Sequence, residues 1–310
     1  MQDWKVIISR KSGSGKAGEA WDKVSGMLRR KGVSFSEAFT EYKSHAVELT
    51  KQALKDGYRK IMTLGGDGAI HEILNGVMAQ DEVPTCEVTL AIIPVGSGND
   101  WPRLHNIPKH LEQAVEVIAS GRTMLQDVVK VESVMDGKPH TRYMINIGGL
   151  GFDSQICRLF DKAKQKGRHG DVQYLKCLLK GFVGYKSPRF SIKVDGEPFY
   201  EGTALSVALG NGRYCGGGMM QTPQAVCNDG ILDVTVIKNI WKLKLLPKIK
   251  ELYKGTILQN TDFVFTAKST KCIEIAATPS SYIEIDGEYC GCSPVRASIV
   301  PSAVNVITNI

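Results

Sequence analysis

The chain has 310 residues, 43% hydrophobic and 23% charged, which is the balance of a soluble globular protein and excludes a disordered or fibrous chain. No stretch approaches eighteen consecutive apolar residues, so no spanning helix is expected. Basic residues outnumber acidic ones 39 to 32, for a net charge of +7, yet no nucleic-acid motif or basic–aromatic repeat accompanies them, so nucleic acid is not an expected partner.

The first element is the apolar run WKVIIS (4–9), which reads as a strand and not as a signal core, because no basic start precedes it. The cytoplasm is therefore the expected compartment. The following SRKSGSGKAGEA (9–20) contains G-x-G-x-x-G at Gly13, Gly15 and Gly18, with Glu37 in the region where an acid meets a ribose in dinucleotide sites. A Walker A reading fails, since Arg10 stands where the first glycine belongs and Ala17 where a hydroxyl belongs. Onward to about residue 120 the pattern alternates strands with helices near 19–31, 44–56, 69–79 and 110–120. That order implies a parallel sheet covered by helices on both faces.

After Gly121 the rhythm changes to strand-like runs: MLQDVVKVESV, TRYMINIG, RFSIKVDG, ALSVALG, ILDVTVI, DFVFTA, KCIEIAA and SYIEIDG. One helical interruption falls around 153–184, and ASIVPSAVNVITNI closes the chain. A second, mainly β domain is expected at this length. Eight cysteines are scattered without zinc spacing and read as reduced thiols.

The chemistry concentrates in two loops. In KIMTLGGDGAIHEILNGV (60–77) a buried strand stops at Leu64, Gly65 and Gly66 turn, and a helix begins near Gly68. Such a turn lets backbone N–H groups approach a phosphate, aided by the positive end of the helix. Asp67 at its centre conflicts with an anion unless a cation mediates, which points to Mg²⁺–nucleotide chemistry. One strand later LAIIPVGSGNDWPRL (90–104) repeats the design with Gly96-Ser97-Gly98-Asn99-Asp100. Both loops fall at the carboxyl ends of strands, where open α/β sheets bind ligands. Near the other end, SYIEIDGEYCG supplies Asp286 and Glu288 around a glycine turn, and strand alternation puts Glu284 and Asp286 on one face.

With LGGDGAIHEILNGV, IPVGSGNDWPR, NIGGLGFD, LGNGRYCGGGMMQTPQAVCNDGILDV and IEIDGE in this order, the chain resembles the diacylglycerol kinase catalytic family over nearly its full length. The resemblance implies an α/β ATP-binding domain over 1–125, a β-rich, sandwich-like lipid domain over 126–300, and a terminal strand, 301–310, returning to the first domain. It implies ATP phosphates on Gly66, Asp67, Gly68, Ala69, Ile70, His71 and Glu72, with side-chain contacts from Thr40 and Ser97. Ser12-Gly13 would be the preserved part of the first nucleotide loop. Val226 and Ile231, through backbone oxygens, and Asp229, through its carboxylate, would hold a structural Mg²⁺. Asp286 and Glu288 match the family's catalytic Asp-Gly-Glu, and either can be the base. Asp67 is the expected carboxylate partner of the nucleotide's Mg²⁺.

The chain departs from the family at Ser9-Arg10 (usually Asn-Pro), Ala69 (Thr), His71 (Asn), Ser97 (Thr), Trp101 (Phe) and Pro102 (Ala). Ala69 removes one phosphate contact, and His71 reads as a helix-surface residue if it has no ligand. The reaction implied is phosphorylation of a lipid hydroxyl, most simply diacylglycerol to phosphatidic acid, with lipid entering between the domains. Kinases of sphingoid bases, ceramide or monoacylglycerol remain alternatives, as do an NAD kinase-like enzyme and a silent nucleotide-binding regulator. The resemblance allows a homodimer. In KNIWKLKLLPKIKELYK (238–254) apolar residues at helical spacing alternate with lysines, so peripheral attraction to an anionic membrane is expected, although Pro247 interrupts the helix.

Overall fold

Runs of aliphatic residues without alternation, such as WKVII, KIMTLG and TLAIIP, make strands that are covered on both faces. The computed structural model describes residues 3–9, 16–96, 98–165, 176–177, 181, 185–240 and 248–310. The chain divides into two units: Met1–Val128 with Gly216–Gly218 and Val300–Ile310, and Val129–Cys215 with Met219–Ile299.

The first unit contains β1 (Trp4–Ile8), α1 (Lys16–Arg30), β2 (Phe35–Phe39), α2 (His45–Lys55), β3 (Lys60–Gly65), α3 (Asp67–Met78), β4 (Thr89–Pro94), α4 (Asp100–Leu104) and α5 (Leu111–Ser120). Its strands lie in the order β2-β1-β3-β4, and all are parallel. Right-handed crossovers in this order put α1 on one face and α2 and α3 on the other. Accordingly α1 packs with α5, and α2 with α3. At the far edge Asn305 and Val306 of the chain's last strand pair in parallel with Thr89 and Leu90. The central strands are wholly buried from Ile61 to Leu64 (Thr63 included) and from Leu90 to Ile93. Every loop at their carboxyl ends therefore starts from a fixed point.

The second unit is built from β5 (Thr123–Met135), which enters from the first unit, β6 (Lys138–Met144), β7 (Ile147–Gly151), α6 (Phe152–Gln165), β8 (Arg189–Val194), β9 (Glu197–Gly210), β10 (Tyr214–Cys215), β11 (Met219–Met220), β12 (Leu232–Lys238), α7 (Ile249–Lys254), β13 (Val264–Ser269), β14 (Cys272–Thr278), β15 (Tyr282–Ile285) and β16 (Glu288–Ile307). The pairings β9–β7–β15–β16–β14–β8 return to β9 and are antiparallel throughout. The long strands β9 and β16 each serve two neighbourhoods, and the resulting sandwich encloses Val207, Leu209, Ile273, Ile275, Ile283, Ile285 and Val295. Three hairpins close on Asp-Gly pairs, at Asp136-Gly137, Asp195-Gly196 and Asp286-Gly287, with positive φ at both residues of each. That is the type I′ geometry, which suits the right-handed twist of the flanking strands.

The run TRYMINIG, which reads as one strand, is two. β6 stops at Met144 and β7 starts at Ile147. Of the lysine-rich stretch, Trp241–Pro247 lies outside the described residues, and α7 begins only at Ile249. Ile240 and Leu252 pack inward against Leu205, Ile257 and Phe263 rather than forming one exposed face. Among the described residues no helix is long and apolar enough to cross a membrane. Cys86, Cys272, Cys290 and Cys292 are free thiols.

Candidate functional site

In the first unit the turns after β3 and β4 touch through bare backbone. A Cβ on Gly96 would stand 2.7 Å from Gly66 Cα and 2.8 Å from Asn99 Oδ1, and one on Gly66 would stand 3.1 Å from Gly96 Cα. Only glycine permits that approach. Asp67, the first residue of α3, then reaches across the contact. Its Oδ1 accepts the N–H of Trp101 at 2.9 Å and its Oδ2 the N–H of Asp100 at 3.1 Å. The carboxylate thereby caps α4 from another loop, supplying acceptors that a helix start otherwise lacks. Gly98 leaves room for this: a Cβ there would lie 3.0 Å from Asp67 Oδ2.

Asp100 and Asn99 are buried beside the clamp. Asn99, in the left-handed conformation at φ 53°, donates its amide to Gly96 O at 2.6 Å. Asp100 Oδ2 accepts Gly217 N–H at 2.8 Å. Burial pushes the Asp100 carboxyl up, opposed by the Gly217 and Gly218 amides and by Arg103 and Lys109. Asn99 Oδ1 and Asp100 Oδ1 are buried without a hydrogen-bond donor. Two orphaned oxygens next to a carboxylate form an oxygen-only donor set, which fits a hard divalent cation such as Mg²⁺.

The expected phosphate loop is sorted further by burial. Ala69 and Ile70 both direct their N–H to Gly66 O, which closes the first turn of α3. The Ile70 side chain is in the core. His71 is not on the helix surface: it is 4% exposed, and its Nε2 lies 3.4 Å from Asn75 Nδ2. Glu72 Oε1 accepts Ser44 N–H at 3.0 Å and so serves the start of α2. Thr40 follows β2 at the same end of the sheet, its N–H bonded to Ile8 O. Gly65 closes β3 and accepts Val95 N–H at 2.9 Å. Ser12, Gly13 and Ser97 lie outside the described residues. Glu37, the acid placed to meet a ribose in the dinucleotide reading, accepts Trp21 Nε1–H at 2.7 Å.

The clamp's far side is a polar knot absent from the sequence reading. Trp101 is fully buried, and its indole N–H reaches Gln126 Oε1 at 3.1 Å. His105 Nε2 meets the same oxygen at 2.9 Å. Where the family commonly has Phe, this chain has a ring with an N–H, and Gln126 supplies its acceptor. Burial pushes the His105 ring down to about 4, with the Gln126 bond opposing.

In the second unit Asp286 explains the break between β6 and β7. Its carboxylate accepts the N–H groups of Ile145 (3.0 Å, Oδ2) and Asn146 (2.9 Å, Oδ1). The carbonyls of the same residues are taken by Asn211 Nδ2 and by the amides of Asn211 and Gly212. Every backbone group of the break is thus paired, as burial requires. Asp286 is only 6% exposed, at φ 51°, and its own N–H bonds Ile147 O. Because β15 ends at Ile285, strand alternation does not extend to Asp286. Glu288, half-buried, opens β16 on the other side of the turn. Glu284, buried on β15, accepts Gly287 N–H at 2.9 Å. Burial pushes its carboxyl up to about 8, the Gly287 amide opposing and Asp153, Asp286 and Glu288 reinforcing. Its alternation with Ile283 and Ile285 was the one available signal.

Around the expected structural metal loop, Asp229 is exposed and its Oδ1 accepts Ile231 N–H at 3.0 Å, an Asx turn, while Val226 is 36% exposed. Among the described residues no cluster of three or more His, Cys, Asp or Glu side chains could hold a metal by itself. Lys242 and Lys244 lie outside the described residues, and Lys248 pairs with Glu251 at 2.8 Å.

Two family models match the chain: the diacylglycerol kinase catalytic domain over residues 3–131, and the YegS C-terminal NAD kinase beta sandwich-like domain over 147–308. A diacylglycerol kinase of Mycobacterium tuberculosis is 27% identical over 96% of this chain and 92% of its own length. A Pectobacterium atrosepticum protein described as a probable lipid kinase, YegS-like, is 28% identical over 90% and 88%. A crystal structure from Bacillus anthracis, described as that of a putative diacylglycerol kinase, superposes with a TM-score of 0.79 at 25% identity, covering 99% of this chain and 95% of that one.

The His105 ring sets a pH dependence. Its folded pKa lies below the unfolded value near 6.5, so the unfolded chain binds the extra proton and stability falls as pH drops from about 6.5 to about 4. The loss is at most about 3 kcal/mol. His105→Gln, which keeps a donor near Nε2, should show a shallower acid slope in urea unfolding. Equal slopes would remove His105 from the acid sensitivity.

Proposed function

The chain belongs to the diacylglycerol kinase catalytic family, and from that premise we propose that it transfers the γ-phosphoryl group of ATP to the free hydroxyl of diacylglycerol, giving phosphatidic acid. The carrying observation is the Asp67 clamp across Gly66 and Gly96. It fixes two helix starts at the ligand-binding end of a parallel sheet, where backbone amides suit the phosphates. Asp67, Asn99 and Asp100 would hold Mg²⁺, which when bound neutralises charge on the transferring group. Asp286 or Glu288 takes the proton of the acceptor hydroxyl as its oxygen bonds phosphorus, and the bond to the β-phosphate oxygen breaks to leave ADP. Asp286 is held for this by two amides and cannot swing away. Asp229, with the carbonyls of Val226 and Ile231, is proposed as a structural Mg²⁺ site.

The test uses labelled ATP and a total lipid extract, with the product identified by mass. Diacylglycerol should be the labelled lipid, and labelled ceramide phosphate or sphingoid-base phosphate instead would overturn the substrate assignment. Asp67→Asn should cut turnover at least a hundredfold. It exchanges one acceptor of the clamp for a donor facing an N–H. A folded Asp67→Asn enzyme with near-parent turnover would sink the role given to the clamp. Among the acids, Asp286→Asn and Glu288→Gln should bind ATP normally, with at least one losing about 10² to 10⁴-fold in single-turnover rate.

We also propose that the protein works from the cytoplasm and visits anionic bilayers peripherally. The support is its net charge of +7 and the lysine-rich stretch with exposed Ile249 and Tyr253. Replacing Lys242, Lys244, Lys250 and Lys254 by Gln should weaken binding to vesicles containing phosphatidylserine, each charge contributing at most about 1 kcal/mol. Raised salt should mimic the change. Vesicle binding indifferent to both would assign these lysines to an ordinary solvated surface.

A further inference from the structure

The Asp286-Gly287 turn has a second carboxyl group built under it that the phosphoryl-transfer reading does not use. Glu284 is buried on β15, and its Oε2 accepts the Gly287 amide at 2.9 Å. On the neighbouring strand β7, Gly149 passes it as bare backbone: a Cβ there would lie 3.8 Å from Glu284 Oε1 and 3.1 Å from Val207 O. The groups facing Glu284 are acidic from each side. Asp153 faces it from the first turn of α6, Asp286 from the turn, and Glu288 from the start of β16, with the Cys290 thiol farther along that strand. Among the described residues, the nearby cations act on other groups. Arg158 stacks on the Tyr282 ring at 4.1 Å, and Arg142 acts on Cys290.

These neighbours are not alike. Asp153 holds the Ser206 hydroxyl at 2.5 Å and the Gln221 amide at 2.8 Å. Asp286 holds two backbone amides, and Glu288 is half-buried. Glu284 is buried and has the one Gly287 amide as its donor. A buried carboxyl group with a single donor and acidic neighbours keeps its proton, because burial and like charge both disfavour the ionised form.

We propose that Glu284 is a positioning residue that works as a neutral acid: it bridges to Gly287 to hold the turn that carries Asp286 and Glu288, and by remaining uncharged it adds no further negative charge to that turn. The proposal rests on the kinase reading of that turn. Burial with reinforcement from the three acids places the Glu284 titration near pH 8, inside the range that kinetics can reach. Above it, a further negative charge appears beneath the turn and disturbs the two acids that the turn carries. The same proton makes stability depend on pH. The folded pKa is raised above the unfolded value near 4.3, so the folded state holds a proton that the unfolded chain releases, and stability declines as pH rises from about 4.5 to about 8.

The experiment compares the parent, Glu284→Gln and Glu284→Ala by kcat across pH 6–10 and by urea unfolding across pH 5–8. Gln is a neutral isostere that can still accept the Gly287 amide. The parent should lose about tenfold in kcat between pH 8 and pH 9.5. Glu284→Gln should stay within about twofold of the parent at pH 7, extend the alkaline plateau, and flatten the decline of stability with pH. Glu284→Ala should lose about tenfold in kcat at every pH, because the turn is no longer held. An alkaline limb unchanged in Glu284→Gln, or an unfolding slope identical to the parent's, overturns the proposal. Should the parent phosphorylate no lipid, the kinase reading fails, and the unfolding slopes still decide whether Glu284 carries the proton.

Discussion

The carboxyl end of the parallel sheet in the first unit depends on one contact, the meeting of Gly66 and Gly96 with the Asp67 carboxylate laid across it. Two buried parallel strands deliver their carboxyl ends side by side, but strands alone leave the following loops free to diverge. The glycines remove the side chains that would hold them apart. Asp67 then joins them, because the amides at the start of α4 have no acceptor of their own and a carboxylate is a strong one. The oxygens that remain without donors, on Asn99 and Asp100, are left at the rim of this contact. The two loops are thereby held together by hydrogen bonds within the chain.

Among the described residues the second unit closes hairpins on Asp-Gly three times, and the contrast separates scaffold from chemistry. At Asp195 the carboxylate collects the Ser269 hydroxyl and the amides of Thr270, Lys271 and Cys272, which ties the β13–β14 turn to the β8–β9 turn. These bonds outweigh the cost of partial burial and hold the Asp195 carboxyl well below the usual carboxylate range. At Asp286 the same backbone conformation aims the carboxylate at Ile145 and Asn146 and interrupts a strand to do so. The Asp286 turn has other acids around it, Glu284 and Glu288 among them. A turn type chosen for its twist has been given a different task by what lies beneath it.

Legibility in the sequence followed the range of the determining interaction. The strands ending at Leu64 and Ile93 were readable because full burial makes a continuous apolar run. The Asp-Gly hairpins were readable because φ > 0 restricts the residues that can occupy them. The family motifs gave the loops their chemistry. What escaped is non-local. TRYMINIG alternates like an uninterrupted strand, and the group that breaks it is Asp286, 140 residues away from Asn146. His71 looks like a surface residue by type, and only the packing of α3 buries it beside Asn75. Nothing near Trp101 announces that Gln126 will satisfy its indole, nor that Asp67 will cap the helix on which it stands. The helix α4 itself is five residues long and carries too little periodicity to be read.

The claim that the two glycine loops form one phosphate-binding device by touching is tested most directly with Gly96→Ala, measured by calorimetric titration of Mg²⁺–ATP. A methyl group at that position would sit 2.7 Å from Gly66 Cα and must push the loops apart. The expected result is a folded protein, with the circular dichroism of the parent, whose ATP affinity has fallen at least about tenfold. A folded Gly96→Ala protein that binds Mg²⁺–ATP as tightly as the parent would contradict the account.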